Sequence, residues 1–377
     1  TPAPPLHWQT QVDSAGGSLP RHRIKASLQG SGFAVEAHVE TDPSRQSGNW
    51  TLDPSVIALQ SWLAPLAHTF GFLDSLGDLT ASGTLLVEGS GRIVGGKVTG
   101  SLRCRLEDGG LVSESHSVRL AGLNLSVDLD QFSPPASSRL QTLSFKEASF
   151  NNVIARNGEV TFSFTNNQEV RIERARLDVF GGAVELAGDT FPLKTLLAGE
   201  VTTSVRILHV SLAEIAALLP DVIAEARGRL SGEIGVGWTK TGFKLGNGSL
   251  QIERLESVEV RLSPQPGFLT DHTPERLSLP AWTGALGRWL SPKNPAYETI
   301  RQIEMGLMTL QVETLTAQVQ PAGDEAGRSA TVRLSARPAV ASAVDKVDFE
   351  VNVSGPLDEV LKLGLGNSFS VKMGSGP

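Results

Sequence analysis

Three groups of residues in this chain have types that could do chemistry. The first is the run Glu169–Asp178, where Glu169, Glu173 and Asp178 interleave with Arg171, Arg174 and Arg176. Two carboxylates facing each other across a cleft are what glycoside hydrolysis requires. On a strand, however, opposite charges in this spacing pair with neighbouring strands, so solvated cross-strand pairing is the expected role. The second group is the seven histidines, His7, His22, His38, His68, His116, His209 and His272. No two lie close enough in sequence to make a metal pair on one strand or one helical turn, so no metal is expected. His209, which ends a strand before Val210 and Ser211, reads as a structural or surface residue. The third is Cys104, the sole cysteine, which rules out an internal disulfide and follows the alternation of its strand as a packing residue.

The motifs that build active sites are missing. There is no Gly-x-Ser-x-Gly elbow, His-Glu-x-x-His pair, Walker loop or Gly-x-Gly-x-x-Gly fingerprint. No catalytic residue, no cofactor and no enzymatic activity are therefore expected. The net charge of −7 and the scattered arginines also argue against nucleic acid, which needs clustered cations.

The elements that would carry any site are strands. Leu123, Leu125, Val127 and Leu129 alternate with Asn124, Ser126, Asp128 and Asp130. The same period of two runs through Phe33–Val39, Val160–Phe164, Val201–Ile207, Leu310–Val312 and Val347–Val353. Strict alternation predicts antiparallel sheet with one apolar and one wet face. Asp108-Gly109-Gly110, Asn157-Gly158, Gly181-Gly182 and Asn247-Gly248 supply hairpin turns. Roughly 16 to 18 strands are expected.

Helices are few. Ser211 is placed to cap Leu212–Leu219, with Glu214 completing a capping box and Pro220 as the stop. Val56–Leu76 carries Leu59, Trp62, Leu63, Leu66, Phe70 and Leu73 at helical spacing. Asn294–Met308 is a third candidate, and Thr270–Pro292 reads as a long loop. One helix-then-strands unit recurs: Ile57–Leu106 and Ser211–Ile252 share their order, and Ser82-Gly83-Thr84-Leu85 matches Ser231-Gly232-Glu233-Ile234. Duplication of this kind predicts a fold that grows by adding strands.

The stretches Arg171–Leu186 (RIERARLDVFGGAVEL), Ala226–Leu250 (ARGRLSGEIGVGWTKTGFKLGNGSL) and Val347–Leu361 (VDFEVNVSGPLDEVL) resemble, in this order, phrases of the YdbH family of AsmA-like proteins, whose members are often labelled "dicarboxylate transport" domains. The resemblance implies a mainly β fold, a long twisted antiparallel sheet curled into an open apolar groove with a few short amphipathic helices. It implies phospholipid movement across the periplasm of a Gram-negative-type bacterium toward the outer membrane. It further implies anchorage in the inner membrane by a segment that this sequence does not contain, and a small outer-membrane lipoprotein pairing at the sheet end. Literal dicarboxylate transport lacks support, since no stretch gathers cations to hold a diacid.

One-sided alternation independently demands that the apolar face be covered, and the helices are too few to do it. A sheet that closes tightly gives a sandwich or solenoid with a dry core; one that stays open gives a trough suited to acyl chains. The residues expected to line it are Leu123, Leu125, Val127, Phe145, Phe162, Phe164, Ile172, Val205, Ile207, Leu250, Ile252, Val258, Val260, Leu310, Val312, Phe349 and Val351. The expected organisation is residues 1–50 as N-terminal strands without the family phrases, 51–141 as the first helix-plus-strands unit, and 142–377 as the YdbH-like region with the second. A structural or adhesive β-solenoid or sandwich is the alternative reading, and a carbohydrate-active β-solenoid enzyme a third.

Overall fold

A computed structural model describes residues 5–15, 21–42, 46–62, 80–114, 117–150, 153–218, 220–239, 242–253, 256–267, 269–277, 291–323 and 328–354. The chain is mainly β: nineteen strands belong to one antiparallel sheet, and two more form a small hairpin. The count exceeds the 16 to 18 expected because strands of two to five residues are too short to show alternation. By its contacts the chain divides into two compact units, Thr1–Val179 with Val184–Thr203 and Gly237–Lys244, and Phe180–Ala183 with Ser204–Val236 and Leu245–Pro377.

The first unit is built on strands β1 (Leu6–Ala15), β2 (Arg21–Gly30), β3 (Phe33–Asp42), β4 (Ser47–Ala58), β5 (Thr80–Val94), β6 (Lys97–Ser113), β7 (Val118–Leu129), the small hairpin β8 (Gln131–Phe132) and β9 (Pro135–Ala136), then β10 (Gln141–Phe150), β11 (Val153–Thr165), β12 (Glu169–Val179) and most of β13 (Gly182–Pro192). From β1 to β7 every strand pairs with the next in sequence, and the order continues β7–β10–β11–β12. Of the four expected hairpin turns only Gly181-Gly182 falls between strands; Asp108-Gly109-Gly110, Asn157-Gly158 and Asn247-Gly248 lie inside the strands Lys97–Ser113, Val153–Thr165 and Gly242–Ile252. Gly95 and Gly96 join β5 to β6 at φ +56° and +78°, a region glycine enters without steric cost.

These strands are not uniformly alternating. The register slips between Leu52 and Ser55 in β4, between Leu106 and Gly109 in β6, at Gly122 in β7 and between Arg156 and Glu159 in β11. At each slip one strand carries an extra residue, a β-bulge that bends the strand and raises its local twist. Asp108, Gly122 and Asn157 take positive φ there, at +47°, +66° and +51°. Leu106 and Leu111 consequently join one cluster despite their odd separation, as do Leu123 and Leu120.

In the second unit β14 (Val201–Ser211), β15 (Ile223–Arg227), β16 (Arg229–Thr239), β17 (Gly242–Ile252), β18 (Val258–Leu262), β19 (Leu310–Val319), β20 (Arg328–Pro338) and β21 (Val347–Ser354) carry most of the structure. Strand β19 is shared: it pairs with β17, β18 and β20. The helix Leu212–Ala216 buries Leu212 and Ala216 with Ala226, Leu230, Val258, Val260 and Leu315. The helix Pro295–Glu304 buries Ile303 against Leu269, Leu310 and Ala336.

Both helices differ from expectation at their ends. The first stops at Ala216, and Ser211 makes no side-chain cap. Its first amide is satisfied by tertiary structure instead, the Leu212 N–H donating to the Gly228 carbonyl at 3.0 Å, so the capping box is not needed. The second ends at Glu304, not Met308, and is capped by Asn294, whose side chain accepts from the Ala296 N–H at 3.1 Å. Of the Val56–Leu76 candidate, Val56–Ala58 complete β4 and residues 59–62 are helical; 63–76 lie outside the described residues. So do 278–290 of the expected long loop. The two repeat copies also diverge. Gly83 sits at a register slip with φ +107°, whereas the second copy inserts β15 between its helix and its Ser-Gly strand.

Candidate functional site

In the first unit the register aligns one apolar row across ten strands. Leu6, Gly30, Phe33, Ile57, Leu85, Leu106, Leu125, Leu143, Val160 and Ala175 are successive cross-strand partners from β1 to β12. Directly opposed residues share a face, so these side chains form one continuous stripe. At about 4.8 Å per strand the stripe runs roughly 43 Å. Apart from Leu6, which is exposed, and Leu106, which is buried, its side-chain-bearing members are half-buried. Leu85, Leu125 and Leu143 pack against the cluster of Leu59, Leu106 and Leu123.

Two features border this face at opposite strand ends. At the end of β4, residues 59–62 turn helical, burying Leu59 and Trp62. The Trp62 ring packs on Phe33 at 4.7 Å, and its indole N–H donates to the Ser31 carbonyl at 3.0 Å. At the other end, residues 130–140 leave β7 and return as β10, forming a strap. Phe132 in the strap meets Trp50 edge-on at 5.6 Å, and Ser137 is tied to Phe164 by two hydrogen bonds of 2.9 and 3.0 Å. The Trp50 ring lies over Gly89 and Gly91, where a Cβ at residue 91 would fall 2.6 Å from the indole nitrogen. Its N–H donates to the Thr99 carbonyl at 3.0 Å. The base of the strap is pinned by Gln141, 2% exposed, which donates to the Arg139 carbonyl and accepts the Asp128 N–H, both at 2.5 Å.

Seven of the expected lining residues fall in this unit. Leu125 is in the stripe itself; Leu123 is opposite Gly109, and Val127 opposite Cys104. The Phe145 ring covers Gly158, Phe162 pairs with Ile172, and Phe162 and Phe164 meet at 5.6 Å. In the second unit Val258 pairs with Val312, and Val260 with Leu310; Leu250 faces Ala317, Phe349 faces Leu334 and Val351 faces Val332. Ile252, Val312 and Phe349 pack at the edges of the two clusters there, while Val205 and Ile207 are half-buried on β14. Leu123, Val258, Val260 and Leu310 are buried in the cores; the other thirteen are half-buried. Sequence reading missed the strap, Trp50 and Gln141. Its one signal was Ser133-Pro134-Pro135, a turn sequence that interrupts two runs of alternation.

The polar groups pair with one another. Arg174 and Arg176 both reach Glu185, at 3.2 and 2.6 Å, and Arg176 also reaches Asp178. These are the solvated pairs expected, with the partner carboxylate supplied by Glu185. The His209 Nδ1 lies 2.8 Å from Glu253, and the Ser231 hydroxyl donates to the same carboxylate. A hydrolytic triad needs the imidazole between hydroxyl and carboxylate; here the carboxylate is in the middle, so the hydroxyl is not activated. Among the described residues Glu36, His38 and Asp53 approach one another, His38 Nε2 lying 3.3 and 3.1 Å from the two carboxylates. The Lys25 ammonium sits on Glu36 and holds its carboxyl below the usual range, so the group forms a surface ion-pair ladder.

Among the described residues no helix is long and apolar enough to cross a membrane. No curated protein matches the chain. A family model, YdbH-like, described as "Intermembrane phospholipid transport protein YdbH", matches residues 3–270. The match takes in the first fifty residues and ends before the Val347–Leu361 stretch. The chain thus belongs to the YdbH-like family of intermembrane phospholipid transport proteins.

Proposed function

We propose that the chain is a non-catalytic groove protein that carries phospholipid acyl chains on its apolar sheet face, as part of an inner-membrane-anchored protein moving phospholipids across the periplasm toward the outer membrane. The observation that carries this reading is the half-buried stripe from Leu6 to Ala175, bordered at both strand ends. Burying a Leu, Val or Phe side chain completely is worth about 1.5–3 kcal/mol over leaving it exposed. Acyl chains laid along the stripe would recover the part of that gain which the protein leaves unclaimed. The seventeen residues expected to line the groove belong to this proposal, with the four buried ones as its supporting core. Pairing of a small lipoprotein at a sheet end belongs to it as well.

Photoreactive benzoylphenylalanine at Leu125 tests the reading against the same probe at its sequence neighbour Ser126 on the opposite face. Incubated with vesicles of phosphatidylethanolamine and phosphatidylglycerol, the Leu125 probe forms lipid adducts resolved by mass spectrometry, and the Ser126 probe does not. Equal labelling of both faces, or of neither, would sink the groove. An adhesive or structural module predicts no adduct at either position.

A further inference from the structure

The hairpin of β5 and β6, strands of 15 and 17 residues, ends in a bare tip. Gly95 and Gly96 make its turn, and a Cβ built on either would meet nothing within 4 Å. Beside them Val94 is 61% and Val98 44% exposed. The two valines lie on opposite faces. Val94 shares its face with Arg92 and is opposite Lys97, whereas Val98 is opposite Ile93 on the face that carries the Trp50 ring. Arg92 and Lys97 are exposed, and neither has an ion-pair partner among the described residues. The carboxylates that share a strand face or a cross-strand row with them are engaged elsewhere: Glu88 with Arg103 at 2.5 Å, Glu40 with Arg23 at 2.8 Å, and Asp42, which lies three strands from Lys97 in its row. The tip is steadied by the Gly95 N–H, which donates to the Gln46 carbonyl at 2.9 Å.

We propose that this tip docks end-on into an anionic bilayer surface. A partner laid flat against either face of the hairpin would leave one valine in water; a bilayer entered end-on covers both. Two residues of strand separate Val94 from Arg92, about 7 Å. With the valines at the boundary of headgroups and acyl chains, a depth of about 5–10 Å for interfacial elements, the Arg92 guanidinium stands at the level of the phosphates. Lys97 lays its methylene stem along the tip and returns its ammonium to the same level. The chain as a whole carries a net charge of −7, so the attraction is local to these two cations. The docking concerns where the chain meets a membrane, and it stands whether or not the stripe carries lipid.

The test pellets the whole chain with vesicles at 0.15 M salt, where a Debye length of about 8 Å screens the more distant carboxylates. Wild type partitions onto phosphatidylglycerol vesicles, and about 30-fold more weakly onto phosphatidylcholine, each cation being worth about fivefold near an anionic surface. Arg92→Gln with Lys97→Gln lowers partition onto phosphatidylglycerol by the same factor and leaves phosphatidylcholine unchanged. Val94→Ser with Val98→Ser lowers both, by about tenfold. All four positions are exposed, so an unchanged urea midpoint shows the variants folded. Phosphatidylglycerol binding indifferent to the charge pair would overturn the docking. Its survival in the valine pair would do so too, and would make the tip a patch for any anionic surface, an acidic protein included. Absence of wild-type pelleting would overturn it outright. Benzoylphenylalanine at Leu125 reads the groove separately, with short-chain phosphatidylglycerol below its micellar concentration, which labels wild type and the charge variant alike. Adducts there without tip-dependent pelleting would overturn the docking and leave the groove standing; tip-dependent pelleting without adducts would do the reverse.

Discussion

Replacing Glu304 with Gln should loosen one loop of the second unit. Glu304 ends the helix Pro295–Glu304 and is 3% exposed. Its carboxylate accepts the N–H groups of Gly267, Leu269 and Thr270 at 2.9, 2.7 and 2.8 Å, and the Thr270 hydroxyl at 3.0 Å. Leu269, buried in the same cluster as Ile303, is thereby held in place. Burial alone would raise this carboxyl, but the amides of Leu269, Thr270 and Gly267 outweigh it and hold it below the usual range. A glutamine keeps the shape and one acceptor oxygen. Its amide nitrogen, put in place of Oε1, leaves the Gly267 N–H without a partner, and the remaining bonds lose their charge. One orphaned amide plus weakened neighbours amounts to about 2–3 kcal/mol. Local opening should therefore become easier, and the Gly267, Leu269 and Thr270 amides should exchange about 30- to 150-fold faster, read by hydrogen exchange. Because the folded carboxyl titrates below its unfolded counterpart, near 4.3, its contribution is complete at neutral pH. It falls away as pH drops through the lowered value, so wild type and variant should converge in acid. An exchange rate altered less than about twofold at neutral pH, or a difference that grows in acid, would refute the reasoning.

Other outcomes follow from the first unit. Gly91→Val places a Cβ 1.9 Å from the Thr99 carbonyl and 2.6 Å from the Trp50 indole nitrogen; the urea midpoint should fall by the equivalent of about 3 kcal/mol, and a loss under about 1 kcal/mol would show that the strands simply part. Gln141→Leu leaves the Asp128 N–H and the Arg139 carbonyl unpaired; it should cost about 1–3 kcal/mol and speed protease cleavage in the strap, whereas unchanged cleavage would mean that the aromatic contact alone holds it. Cys104 lies opposite Val127 on the apolar face, and burial, helped by Asp128, pushes its thiol up. A disulfide reagent should react with it more slowly than with free cysteine at pH 8, and more slowly still after incubation with phospholipid vesicles; reaction as fast as free thiol, or indifferent to lipid, would contradict its placement.

The period-two pattern made the sheet legible because a half-covered antiparallel strand has no other way to bury its apolar residues. It showed that Leu125 and Val127 share a face, and it identified Phe162 and Phe164 together. It could not show where the period breaks. A bulge reverses parity without leaving a gap, so strict alternation from Leu106 and Leu123 would put Leu111 and Leu120 on the wrong face. Asp108-Gly109 and Asn157-Gly158 were visible as turn signals, but the chain passes straight through them as bends within β6 and β11. The helix Leu212–Ala216 was placed by Ser211, Glu214 and Pro220, but the cap does not form, because its first amide is satisfied by Gly228, far off in sequence. The strap escaped for the same kind of reason: its anchors, Trp50 and Phe164, are remote from it along the chain.

The sequential pairing of β1 through β7 has a consequence for how the molecule is made. Each strand finds its partner immediately upstream, so loop closure is short and pairing need not wait for distant segments. The first unit can assemble hairpin by hairpin as successive strands become available. Each step satisfies the backbone of the previous strand and exposes the edge of the new one. The same step lengthens the apolar stripe by one cross-strand position. Each open edge is a template for pairing with another chain, so the growing sheet is open to aggregation at every step. On the groove reading proposed above, phospholipid laid along that stripe would shield the growing sheet.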